Sequence, residues 1–104
     1  MNWNTPENKE LVAALLAVRT PDEVRRFLRD LMTSNEIEEF GKRFKAAQML
    51  TQRESYPRIQ EATGLSQTTI ARVSKWLQDG EKGYRLVIDR LHHHAPISSE
   101  RGLR

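Results

Sequence analysis

The sequence predicts an all-α fold organised around a helix-turn-helix. Apolar residues recur at intervals of three and four, with no sustained alternation and no β-branched run. Capping residues, followed by proline or by glutamate three positions on, punctuate that pattern. The third observation is Tyr56–Leu77, YPRIQEATGLSQTTIARVSKWL, where two short helical patterns flank a Thr-Gly-Leu-Ser corner.

The first helix starts at Thr5-Pro6, a capping side chain followed by a proline with its dihedral already set for a first turn. Leu11, Val12, Leu15, Leu16 and Val18 give it a broad apolar stripe. The second starts at Thr20-Pro21-Asp22-Glu23, a capping box with proline in the first turn, and Val24, Phe27, Leu28 and Leu31 form its expected buried face. Thr33-Ser34-Asn35-Glu36 is another capping box, with Glu36, Glu38 and Glu39 near the positive end of the helix dipole. From there Ile37, Phe40, Phe44, Ala47 and Leu50 carry a helix to about residue 51. Gly41 inside it costs about 1 kcal/mol relative to alanine, which points to close approach of another helix, or of a ligand. Lys42, Arg43 and Lys45 make either a solvated face or a set of phosphate contacts.

In the helix-turn-helix, placed at about 55–78, Gly64 is expected to end the first helix in a left-handed conformation, and Ser66 to cap the second. Ile59, Leu65, Ile70 and Val73 are spaced to share one small core. The second helix of such a motif enters a DNA major groove. Its opposite face carries Gln67, Thr68, Ala71, Arg72 and Lys75, with the hydrogen-bonding groups needed for base edges and phosphates, and a small residue that permits close approach. A plain helical hairpin with a solvated polar face is the bland alternative. Gln60 departs from the motif, which usually places a small residue under its turn. After Asp79-Gly80-Glu81-Lys82-Gly83, residues Tyr84, Val87, Ile88 and Leu91 form a last short helix ending near His92-His93-His94. Consecutive histidines on a helix point in different directions, so they read as a cationic helix end rather than a metal site. Residues 95–104 read as a mobile basic tail after a helical domain of residues 1–94.

At 104 residues with net charge +3, the chain suits one basic domain with a modest core that gains from dimerisation and a polyanionic partner. It has no cysteine, which excludes disulfides and thiolate metal sites. No signal peptide or membrane span is read, so a cytoplasmic location is the default. With no phosphate-cradling glycine loop and no paired-carboxylate cleft, an enzyme is not expected. A helical module that docks on a protein of the transcription or replication machinery is the alternative to DNA binding.

The segment LMTSNEIEEFGKRFKAAQML, followed by the corner and TTIARVSKWL, resembles the Trp repressor family, and within it the YerC/YecD-like branch. The marks are Leu31-Met32-Thr33, Gly41-Lys42-Arg43 and Thr69-Ile70-Ala71-Arg72; Gln60 also fits, because that family carries a long polar residue under its turn. The resemblance covers about residues 28–91 and implies an all-α, intertwined homodimer whose two reading helices meet double-stranded DNA at a palindromic operator. It implies a transcriptional regulator, most naturally a repressor. Arg53, Arg58, Arg72 and Lys75 would contact phosphates; Ser66, Gln67, Thr68, Thr69 and Ala71 would meet the DNA at the head of the reading helix. The positions matching the family's effector pocket are Thr33, Arg43, Thr69, Arg72 and Val73. Either arginine could hold an amino-acid carboxylate in a bidentate pair. Val73 replaces the glycine against which the indole ring of L-tryptophan lies, and a β-branched side chain fills much of that space. The expectation is therefore no obligatory cofactor, with L-tryptophan disfavoured and another small effector left open.

Overall fold

The structure, a computed structural model, describes residues 1–94; the tail expected at 95–104 lies outside them. Six helices follow in order: α1 Pro6–Ala17, α2 Pro21–Leu31, α3 Ser34–Thr51, α4 Tyr56–Thr63, α5 Gln67–Asp79 and α6 Gly83–His94. The chain divides into two units, Met1–Glu38 and the part from Glu39 on, with the boundary inside α3. No helix among the described residues is long and apolar enough to cross a membrane.

In the first unit every expected helix start is present. Thr5 Oγ1 accepts a hydrogen bond from the Asn8 N–H, and Thr20 Oγ1 accepts one from the Glu23 N–H, each at 3.1 Å. The return bond of the second cap shifts by one residue, since the Glu23 carboxylate accepts from the Arg19 N–H at 2.9 Å. At α3 the capping box is reciprocal: Thr33 Oγ1 accepts from Glu36 N–H at 3.1 Å, and Glu36 Oε1 accepts from Thr33 N–H at 2.8 Å. These bonds satisfy amides that a helix start leaves without an internal partner.

The expected burial does not occur in the single chain. Neither α1 nor α2 contains a buried residue. Leu11, Val12, Leu15, Leu16, Val24 and Leu31 are all exposed, Leu16 at 80%; Phe27 and Leu28 are half-buried. Periodicity reports that a face is apolar and says nothing of which molecule covers it.

The second unit holds the core. Ala46, Ala47 and Met49 of α3, Ile59 of α4, Leu65 of the turn, Ile70 and Val73 of α5, and Ile88 of α6 are buried together. Phe44, Leu50, Tyr56 and Tyr84 pack around them. Phe44 and Tyr84 stack with ring centroids 6.4 Å apart, and the Arg85 Nε–H donates to the Leu77 carbonyl at 3.0 Å, which ties the start of α6 to the end of α5. Burial pushes the Tyr84 phenol above its ordinary pKa of 10, with the Arg43 charge acting weakly the other way. Phe40, expected on the inner face of α3, is instead 49% exposed. Gly41 is also exposed, and a Cβ built there meets nothing within 4 Å, so close approach by another helix of this chain is not its reason.

Gly64 takes φ 76°, and its N–H bonds the Gln60 carbonyl at 2.8 Å, so α4 ends as the glycine requires. Thr63, which periodicity leaves as one more polar residue, organises this corner. Its hydroxyl is buried, donates to the Ile59 carbonyl at 2.7 Å and accepts from the Leu65 N–H at 3.2 Å. Thr63→Val keeps the shape and strands the buried Leu65 amide, so unfolding in urea should show a loss of about 1–3 kcal/mol. Thr63→Ser, which keeps the hydroxyl, should lose less.

Candidate nucleic-acid interface

Helix α5 begins where its side chains dictate. Ser66 lies at φ −68°, ψ 156°, and its Oγ accepts from the Thr69 N–H at 3.1 Å. The same hydroxyl donates to Thr69 Oγ1 at 3.0 Å, so both side chains serve the cap. Ile70, Val73 and Leu77 then point into the core. The opposite side presents Gln67, Thr68, Ala71, Arg72 and Lys75, all exposed. A period of 3.6 residues separates the two sets, so burying one obliges the other to face outward. Gln67 Nε2 donates to Gln60 Oε1 at 3.3 Å, which holds one amide across the corner. Gln60 is thus exposed beside the turn, not packed beneath it.

The cations differ in how free they are. Among the described residues, Arg72 and Lys75 take part in no ion pair, and α5 has no acid in its first turn. Arg58 lies between two carboxylates, Glu54 at 3.8 Å and Glu61 at 3.7 Å. These exposed pairs are worth little, and a phosphate could replace them. Arg53 lies just beyond α3 at φ 64° and is exposed. Its left-handed backbone directs the chain from α3 into α4.

Arg43 is the most constrained of the cations. Its Nε lies 3.3 Å from Glu39 Oε2, and its guanidinium carbon lies 5.6 Å from the Phe40 ring centroid and 5.8 Å from the Trp76 ring centroid. Both distances fall within cation–π range. Sequence periodicity gave Trp76 no role, because a single tryptophan on the outer side of a helix carries no spacing signal.

A family model for the Trp repressor protein matches residues 7–92. The uncharacterized protein YerC of Bacillus subtilis (strain 168) is 34% identical over 95 residues, 91% of each chain. This chain belongs to the Trp repressor family. The fold agrees: a TrpR-like protein from Eubacterium eligens superposes with a TM-score of 0.84 at 35% identity, covering 95% of this chain and 97% of the other. A Trp repressor candidate from Staphylococcus aureus gives 0.83 at 33% identity, covering 88% and 95%. Trp repressor family membership marks the chain as a DNA-binding regulator rather than an enzyme.

The positions matching the Trp repressor family's effector pocket are engaged in this structure. Thr33 caps α3, Thr69 bonds Ser66, Arg43 is held by Glu39 and two rings, and Val73 is fully buried. Arg72 alone of the five is both exposed and unpaired among the described residues. At the histidine run, His93 Nε2 lies 3.4 Å from Asp89 Oδ1. No group of three metal-ligating side chains occurs among the described residues.

Proposed function

We propose that this protein is a homodimeric transcriptional repressor that acts in the cytoplasm by occupying a palindromic operator and needs no small-molecule effector. The observation that carries the DNA-reading part is the outer face of α5, where Gln67, Thr68 and Ala71 stand beside two unpaired cations, Arg72 and Lys75. Amide and hydroxyl groups read base edges, and free cations bind phosphates. Arg53 and Arg58 add backbone contacts from the C-terminal end of α3 and the start of α4, while Ser66 and Thr69 set the head of the helix.

The exposed apolar faces of α1 and α2 support a dimer. Side chains such as Leu15 and Leu16, 47% and 80% exposed, gain free energy by leaving water, and a second copy presents the same faces. Independence from L-tryptophan is supported by the buried isopropyl group of Val73 and by the partners Arg43 already has. A carboxylate arriving at Arg43 must displace Glu39.

Sedimentation checks the assembly: wild type should run as a dimer, and the pair Leu15→Asp with Leu16→Asp should run as a monomer. The same variant should lose operator binding by more than tenfold, because one half-site alone retains only part of the contact set. A monomeric wild type that binds a palindrome at full affinity would contradict the dimer. Protein that ignores DNA sequence at physiological salt would favour a protein-docking module.

A further inference from the structure

Trp76 sits where a tryptophan is unexpected, on the outer side of α5, 44% exposed and one residue beyond Lys75. What it faces is the Arg43 guanidinium. Arg43 in turn faces the Phe40 ring on its own helix and is oriented by Glu39, one helical turn before it. Ring faces carry negative quadrupole and the guanidinium is planar and weakly hydrated, so this cation suits two rings better than a lysine or a neutral chain would. The Arg43 side chain is only 32% exposed, less than either ring residue. The contacts link α3 to the C-terminal half of α5, beyond the point where the cap at Ser66 and the buried Ile70 and Val73 fix its first turns.

Resting on the DNA-reading function proposed above, we propose that Phe40, Arg43 and Trp76 form a clamp that holds α5 in its reading orientation, with Trp76 and Arg43 as positioning residues for DNA recognition. The clamp is made wholly of side chains of this chain and closes without a ligand. A rotation of α5 that carries Lys75 away from a phosphate must also carry Trp76 off the guanidinium, so phosphate contact and clamp closure favour the same position. A helix that samples other orientations binds with an affinity reduced by the fraction of time it spends in the right one.

The test is a double-mutant cycle on the palindrome most enriched from a genomic DNA pool, with Arg43→Met and Trp76→Leu alone and together. Methionine keeps an apolar stem of similar length and removes the cation. Each single variant should bind about three- to tenfold more weakly, the size of one or two half-exposed cation–π contacts. The double variant should be no weaker than the weaker single one, because the second change removes a contact already lost. Arg43→Lys should recover part of the loss, and the slope of affinity against salt should not change in any of these variants. Additive losses, or unchanged affinity in Trp76→Leu, would overturn the clamp. So would a salt slope lowered by about one per protomer in Arg43→Met alone, the signature of a direct phosphate contact. Wild-type protein that discriminates no DNA sequence would refute the reading function itself. The cycle is then read on amide hydrogen exchange of α5: coupled protection losses uphold the clamp, and independent ones refute it. Trp76→Phe replaces Trp76→Leu if the latter does not fold.

Discussion

Ile70→Ala is expected to cost about 2–5 kcal/mol in a urea unfolding experiment, enough to unfold much of the population of a domain this small. Ile70 has no exposed surface and is buried with Ile59, Leu65 and Val73, so the four join both helices of the motif and the turn between them. Truncation removes its transfer free energy and leaves a cavity that its neighbours can only partly refill. The fully buried α3 residues in this cluster are Ala46 and Ala47, too short to move far into a hole. Ile70→Val, which removes one methylene, should cost about 0.5–1.5 kcal/mol. A loss below 1 kcal/mol for the alanine variant would mean that this cluster is not what holds α4 and α5 together.

Gln67→Ala and Lys75→Ala should separate base selection from general affinity. A bidentate glutamine–adenine contact is worth about 1–3 kcal/mol of discrimination, and a dimer makes it once in each half-site. Gln67→Ala should therefore narrow the preference for the operator over random DNA by about 2–6 kcal/mol while leaving random-sequence binding nearly unchanged. The variant also frees Gln60 from its bond to Gln67, which lies on the surface and adds little. Lys75→Ala should weaken binding to every sequence alike and lower the salt slope by about one per protomer, hence by about two for a dimer. Equal effects of both substitutions on specific and random DNA would show that the face does not divide its work this way.

Much of this architecture was legible in the chain because local chemistry fixed it. Thr5-Pro6, Thr20-Pro21 and Thr33–Glu36 cap their helices as residue type alone predicts, and Gly64 takes the left-handed turn that no other residue adopts so cheaply. The core of the motif followed from spacing. What spacing could not give was the occupant of each apolar face. Val24 and Leu31 satisfy the pattern of a buried stripe yet stand exposed in the single chain, since their neighbour is not encoded in their own periodicity. Gly41 misled in a related way: an exposed glycine in mid-helix advertises a close neighbour that this chain does not supply.

Side-chain partners were harder still to foresee. Thr63 and Trp76 are single residues whose roles depend on three-dimensional neighbours, Leu65 for one and Arg43 for the other. Arg43 itself was singled out as a candidate carboxylate or phosphate ligand. Its pairing with Glu39 was open to the i, i+4 rule, whereas its position beside an α5 ring was not.

The most direct test of the central claim is selection of protein-bound fragments from a genomic DNA pool, run in parallel with and without L-tryptophan. An effector-independent, dimeric operator-binding protein should enrich the same palindrome in both arms, with half-sites about one helical turn apart. Enrichment confined to the arm containing tryptophan would contradict effector independence and show that Val73 leaves room for the ring. Enrichment in neither arm would contradict sequence-specific DNA reading by α5.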